Sequence, residues 1–573
     1  MAAITVNGQQ AEARDGEMIL SALKRQGIRV PTLCHVEGLT PTGACRMCVV
    51  EVDGRLLPSC AYPVADGMKI ETHSPRVMQA RKTIVELLLS NHPDDCLYCE
   101  RNGSCQLQDL AEELGVRQRR FVGGRNIQKA DISSSAIVRD PAKCILCGKC
   151  VRVCEEIQGV GAIDFIGRGS RAMVGTAFNE GLNISICVNC GQCVTACPTG
   201  ALREQSHIER VSAALADPEL CVVVQHAPSV SVTLAEEFGS RPGTDVCGAM
   251  TAVLRRIGFD RVFDTAFTAD LTIMEEGSEL VQRIRNCGPL PLLTSCSPGW
   301  VKFVEQFYPE FIPNISSCKS PQQMLGAVIK TFFAEREGLA PEKIFSVSIM
   351  PCTAKKFEAE RPEHARNGVP DVDAVLTTRE LARLIRERGL ALDAVEPETA
   401  DSPFGERSTA GKLFGATGGV AEAAVRSAYY LLTGEDLSDP VIRDLRGMDR
   451  IKETHLKVRE MNIGVAVVSG LSAARQILEE VRAGRNDLHM IEVMTCPGGC
   501  INGGGQPYGT DHEAVVRRMQ KLYQIDGAET VRASHHNLEV KRLYDEFLGE
   551  PLGKKSHELL HTHYTSRAED KVG

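Results

Sequence analysis

CILCGKCVRVC at residues 144–154 and CVNCGQCVTACP at residues 187–198 carry one spacing twice, Cys-x2-Cys-x2-Cys-x3-Cys. Three thiolates so close in sequence can grip one four-iron cube. Where two such runs occur together, the last cysteine of each ligates the cluster of the other. This assigns Cys144, Cys147, Cys150 and Cys197 to one cluster, and Cys187, Cys190, Cys193 and Cys154 to a second. Glu155 follows the first run where Pro198 follows the second. Proline there is only a turn preference and the thiolates do the binding.

Upstream, AITVNG, MCVVEVDG and MKIETH are short alternating runs between Gly and Pro turns, which predicts a small β-rich domain over residues 1–77. Within it, Cys34, Cys45, Cys48 and Cys60 follow Cys-x10-Cys-x2-Cys-x11-Cys. The close pair can hold one iron of a two-iron cluster while loops bring the distant two to the other; structural zinc is the alternative occupant of four thiolates. The spacing departs from the plant ferredoxin pattern and resembles the two-iron domain at the front of large iron-sulfur oxidoreductases. RVMQARKTIVELLLSNHP then predicts an amphipathic helix ending at His92, followed by Cys96, Cys99 and Cys105. One imidazole and three thiolates suit zinc or a four-iron cluster. Directly behind a two-iron domain, the set resembles the His-ligated four-iron cluster shared by iron-only hydrogenases and the large peripheral-arm subunit of respiratory complex I, here placed at 78–125. The paired runs then form a domain over 126–206, similar to bacterial two-cluster ferredoxins.

Of the 23 cysteines, 15 lie in these first 206 residues. A secreted chain could use such density for disulfides, but MAAITVNGQQ has neither the basic nor the apolar region of a secretory signal, and no apolar stretch approaches the roughly 20 residues of a membrane span. A cytoplasmic address with reduced thiols is therefore expected. The net charge of -9 supplies no dominant basic field, which excludes a nucleic-acid binder. Successive clusters in one chain make a wire for single electrons, and a pure electron carrier could end at residue 206.

Instead residues 207–573 alternate strand-length apolar runs with helical periodicity, as in LCVVVQHAPSVSVTLAEEF, KIFSVSIMPCTAKKFE, NIGVAVVSGLSAARQILEEV and LHMIEVMTCPGGC. That predicts a large α/β domain whose ligands gather at strand ends. The chain is thus expected to be a multidomain α+β and α/β protein: a ferredoxin-like two-iron domain, a small His/Cys cluster domain, a two-cluster ferredoxin domain and the large α/β domain. TSCSPGW (294–300), MPCTAKKFE (350–358) and EVMTCPGGCINGGGQP (492–507) fall at its strand ends. They look like the three signature motifs around the H-cluster of iron-only hydrogenases, a four-iron cube joined through a cysteine sulfur to a diiron unit with carbonyl, cyanide and azadithiolate ligands. With the cluster motifs in the same order, the resemblance covers essentially the whole chain, and resembles both clostridial monomeric enzymes and catalytic subunits of multimeric NAD(P)-linked hydrogenases.

The resemblance implies one two-iron and three accessory four-iron clusters besides the H-cluster. It implies that Cys352, Cys496 and Cys500 hold the cube, with Cys500 bridging to the diiron unit. Lys355 and Ala227-Pro228-Ser229 match cyanide-holding positions; Gln322, Met350, Phe414, Gly415 and Met494 match further lining positions, although core packing alone also accounts for the two methionines. The commonest first motif of the family has two adjacent cysteines, a proton relay and a cube ligand. Here the pair is Cys296 and Ser297. Aligned literally, Cys296 is the relay and Ser297 stands at the ligand position, so either the serine oxygen ligates the fourth iron or Cys296 does something other than its family role; thiols titrate more readily than alcohols, which favours Cys296 as the relay. Glu276, Glu279 and Arg283 lie three and four residues apart on one predicted helical face. With Ser316 they match the family's proton route, where spacing alone would suggest a solvated face. Cys221, Cys247, Cys287 and Cys318 fit no ligand group and are expected as buried small hydrophobes.

The implied activity is reversible dihydrogen oxidation, with electrons passed to ferredoxin or, through flavin and iron-sulfur partner subunits, to NAD(P). The diiron unit has to come from maturation enzymes. Two other classes share parts of this sequence. A complex I or formate-dehydrogenase-type subunit predicts a molybdopterin-type domain after residue 206. An electron-transfer or iron-sulfur assembly relative without the diiron unit would be expected to lose Lys355 or the glutamates of the route.

Overall fold

Asn7-Gly8 and Asp53-Gly54 both adopt left-handed backbone, with φ of 50° and 79° in the first pair and 47° and 79° in the second. Two consecutive positive φ angles make the tight hairpin turn whose twist matches that of the flanking strands. They close the hairpins Ala2–Val6 with Gln9–Ala13 and Val49–Val52 with Arg55–Pro58. Strand Lys69–Glu71 joins them into one five-stranded sheet. The computed structural model describes residues 1–124 and 128–567; the expected boundary between 125 and 126, and the last six residues of the expected large domain, lie outside them.

By its internal contacts the chain divides into two units, Met1–Glu156 with Gly161–Cys187 and Gln192–Arg203, and Ile157–Val160 with Val188–Gly191 and Glu204–Gly573. In the first, Ile4, Leu23, Val50 and Ile70 form the core of the β-rich part. The helix expected before His92 spans Pro75–Asn91. Ser74 caps it by accepting from the Val77 N–H, Pro75 occupies its first turn, and His92 ends it. Short helices Lys149–Arg152 and Gln192–Ala196 each begin one residue before the third cysteine of a paired run, Cys150 and Cys193.

The second unit contains two four-stranded sheets. One is wholly parallel, in the order Arg261–Asp264, Cys221–His226, Ile344–Met350, Ala374–Thr377. Its strands are nearly continuous buried runs, as a sheet covered on both faces requires. The other runs Leu292–Leu293, Leu488–Met494, Met461–Ser469, Ile451–Val458, with only the last pair antiparallel. The helix Thr265–Arg285 starts where the Asp264 carboxylate accepts the Ala266 N–H at 2.8 Å. Helices expected after two of the quoted runs are present at Ala354–Ala359 and Leu471–Arg482.

Two expectations need correction. After strand Cys221–His226 the chain makes short 3-10 turns, Val230–Val232 and Leu234–Phe238, instead of an α-helix. Ser231 and Thr233 hydroxyls donate to the carbonyls of Pro228 and Ser229, at 3.2 and 3.0 Å, diverting the backbone. Cys287 is exposed, not buried. It holds φ at 52° just past the long helix, where the Gly288 N–H returns to the Arg283 carbonyl at 2.8 Å, so its side chain leaves the core with the turn.

Helix His512–Ala528 is tied to helix Gly419–Thr433 by Arg426, which reaches Asp526 at 3.0 Å and Glu422 at 2.7 Å in fully buried surroundings. Removing one partner of a buried ion pair strands the others. Arg426→Ala is expected to destabilise the second unit by about 3 kcal/mol, read as a fall of several degrees in anaerobic thermal unfolding; an unchanged midpoint would show that Arg446 and Arg532, which also pair with Asp526 at 2.6 and 2.9 Å, suffice.

Candidate metal and catalytic centre

The ends of four strands bring the signature residues to one place. Cys296 follows Leu292–Leu293, Cys352 follows Ile344–Met350, Cys496 follows Leu488–Met494, and Ala227-Pro228-Ser229 follow Cys221–His226. All of them line one cavity with about 820 Å³ of non-atom space, together with Ser297 and Cys500. Gln322, Met350, Lys355, Phe414, Gly415 and Met494 line it too. Cys190 also lines it, a position sequence reading placed only in the upstream ligand set.

Close backbone approach makes the room. Gly499 holds φ at 96°, and a Cβ there would meet the Thr417 nitrogen at 2.5 Å; a Cβ on Gly503 would meet the Pro351 carbonyl oxygen at 2.2 Å. Lys355 Nζ reaches the Glu358 carboxylate at 2.9 Å and the Cys296 carbonyl at 3.1 Å. Glu358, unremarked in the sequence, also accepts from Ser320 at 2.8 Å and Gln322 at 3.0 Å. It holds the ammonium at the cavity wall, ready to donate to an anionic ligand. Ser297 opens helix Pro298–Phe307, and its hydroxyl pairs with that of Thr495 at 2.8 Å, beside Cys496.

The helical face predicted from spacing leads away from this cavity. Arg283 donates to Glu279 at 2.6 Å, and Ser316 donates to the other oxygen of Glu279 at 2.7 Å. Ser316 also bonds Glu276, which is buried, with Oε1 lacking any partner. Burial first, then the Glu279 charge, push the Glu276 carboxyl from 4.5 up to about 8. Burial, with Glu276 and Cys500 nearby, likewise raises the Cys296 thiol well above its ordinary range. A thiol, a protonated carboxyl, a hydroxyl and an ion-paired carboxylate thus follow one another from the dry cavity outward, groups able to exchange protons in turn.

In the first unit Cys34 is within hydrogen-bonding reach of Cys45 and Cys60, and Cys48 of Cys60. Cys144, Cys147, Cys150 and Cys197 line one further cavity, so the fourth cysteine of the second run does join the first three of the other. Cys154 neighbours Cys187, and Cys99 neighbours Cys105; His92 is at the helix end with its ring pKa lowered by burial. Tetrahedral zinc would draw its thiolates to roughly 3.8 Å of one another. Among the described residues none of these sets brings three ligand atoms within 4.8 Å, so their spacing fits clusters, with sulfide between the irons, better than single ions.

Comparison with known proteins matches residues 221–504 to the C-terminal domain of the iron-only hydrogenase large subunit and 512–567 to the iron hydrogenase small subunit. Upstream, residues 1–75 match a 2Fe-2S cluster binding domain, 81–120 the NADH-ubiquinone oxidoreductase-G iron-sulfur binding region, and 143–201 a 4Fe-4S dicluster domain. The chain is 48% identical to the NADP-reducing hydrogenase subunit HndD of Solidesulfovibrio fructosivorans, over 99% of each chain. It is 39% identical to iron hydrogenase 1 of Clostridium pasteurianum, over 98% of this chain and 100% of that one. A solved apo FeFe-hydrogenase from Chlamydomonas reinhardtii superimposes with TM-score 0.57 at 42% identity, covering 63% of this chain and 99% of that one. No helix among the described residues is long and apolar enough to cross a membrane.

A carboxyl that stays protonated to about pH 8 makes folding stability fall with rising pH, because the unfolded chain gives up that proton from about 4.5 onward. Glu276→Gln is expected to flatten the stability loss between those values and to delete a protonated-carboxyl band from the infrared spectrum at neutral pH. A variant spectrum identical to that of the unaltered protein would show that Glu276 is already ionised.

Proposed function

This chain belongs to the iron-only hydrogenase family and is a hydrogenase, and from that premise we propose which of its residues carry protons and electrons and to whom. The observation that carries the reading is the single cavity that gathers Cys296, Cys352, Cys496, Cys500 and Lys355 from three separate segments. When bound there, the H-cluster supplies the redox chemistry that cleaves or forms dihydrogen. Cys352, Cys496 and Cys500 would hold its cube, with Ser297 at the fourth ligand position and Cys500 as the residue that would also hold the diiron unit. Lys355 and the Ala227-Pro228-Ser229 turn would donate to its cyanide ligands. Gln322, whose amide is fixed by Ser348 at 2.8 Å and Glu358 at 3.0 Å, keeps that wall in place, and Met350, Phe414, Gly415 and Met494 exclude water from it.

Protons leave or enter through Cys296, then Glu276, Ser316 and Glu279, with Arg283 holding the outer carboxylate by an ion pair at 2.6 Å. Glu276 is uncharged at neutral pH, so it can give a proton toward Cys296 and be refilled through Ser316 without a net charge resting in the dry interior. The cysteine sets and His92 would hold one 2Fe-2S and three 4Fe-4S clusters, which would supply single-electron transfer. The near full-length match to a subunit of an NADP-reducing hydrogenase favours partner subunits and NAD(P) as the outlet, with ferredoxin as the alternative, in the cytoplasm.

Cys296→Ala, matured anaerobically, is expected to lose dihydrogen turnover at least about a hundredfold, the scale of one lost acid-base group, while keeping the infrared bands of carbonyl and cyanide; unimpaired turnover would remove Cys296 from the route. Ser297→Cys is expected to alter the electron-spin resonance of the cube and leave the accessory signals unmoved. Identical cube spectra would take Ser297 out of the ligand set.

A further inference from the structure

We propose that His226, Cys247 and Asp264 form a buried zinc site in the second unit, separate from the iron ligands. His226 and Asp264 are the last residues of neighbouring parallel strands and stand opposite each other in register. Cys247 opens helix Cys247–Ile257. One ligand atom from each lies within 4.8 Å of the other two.

The orphaned imidazole points to a ligand. His226 is 0% exposed and neither ring nitrogen has a hydrogen-bond partner; the nearest carboxylate oxygen, of Asp264, is 4.0 Å from Nδ1. A buried imidazole normally satisfies both nitrogens, so two orphans in one ring mark a missing partner. Imidazole, thiolate and carboxylate together suit zinc, whereas calcium and magnesium take oxygen ligands throughout. Closing the three atoms onto one ion at roughly 2.0–2.3 Å needs movements of about an ångström. Binding replaces the Cys247 S–H bond by S–Zn and releases one proton, and the thiolate and carboxylate then offset the charge of the dication.

The surroundings permit this. The Asp264 carboxylate is oriented by the Ala266 N–H at 2.8 Å, the kind of support that metal-binding carboxylates use. Arg407 lies 3.4 Å from the other oxygen of Asp264, but Glu529 pairs with it at 2.8 and 3.0 Å. Lys412 donates to Ser231 at 2.8 Å. The site clamps the end of strand Cys221–His226, from which Ala227-Pro228-Ser229 continue directly into the cavity wall. Zinc there would fix that wall from behind.

The test uses the anaerobically purified holoenzyme, incubated with zinc chloride and then washed with chelator. The unaltered protein is expected to keep about one zinc ion per chain, with an X-ray absorption shell of one sulfur at about 2.3 Å and nitrogen or oxygen at about 2.0–2.1 Å. Cys247→Ala, and Asp264→Asn, which retains the helix-capping oxygen, are expected to lower retained zinc at least about tenfold at unchanged iron content. No retained zinc in the unaltered protein, equal zinc in both variants, or a shell of four sulfurs would each overturn the site.

Discussion

Thiolates that share one metal cofactor must converge on a space from which water is kept out, yet no short segment of this chain can supply them all. The second unit meets that constraint with parallel strands. Their carboxyl ends point the same way, so Cys352 after Ile344–Met350 and Cys496 after Leu488–Met494 arrive at the same cavity although they come from different sheets. Those strands are buried over almost their whole length, so a register slip would displace packed side chains and the position of their ends is fixed.

The same enclosure sets the electrostatics. Lys355 at the cavity wall is met by Glu358. Burial pushes the Glu492 carboxyl up from its ordinary range, although it accepts the Gly418 and Ala421 N–H groups at 2.7 Å each. Burial, then the Glu279 charge, push the Glu276 carboxyl up to about 8, and one of its oxygens has no partner. Further out, Glu279 is met by Arg283 and Ser316. The succession from neutral to paired groups follows depth, and depth is a property of how the Thr265–Arg285 helix packs, with its buried face extending along almost its whole length.

Glycine at the third signature segment shows how narrow the tolerances are. Gly499 and Gly503 stand where any side chain would strike the backbone of Ala416 to Thr417 or of Pro351. Those contacts fix the segment that carries Cys500.

Much of this was legible in the residues because the ligand sets are local. The spacings Cys-x2-Cys-x2-Cys, the helix ending at His92, and Glu276, Glu279 and Arg283 on one face follow from chain geometry over a few residues, where sequence distance is spatial distance. The repeated runs even implied that Cys197 crosses to the first set. Tertiary structure alone decided the neutral state of Glu276, the anchoring of Lys355 by a Glu358 that had drawn no notice, the exposure of Cys287, and the meeting of His226, Cys247 and Asp264. Each depends on strand register or on burial by segments distant in the chain, and neither quantity is written in the spacing of residues.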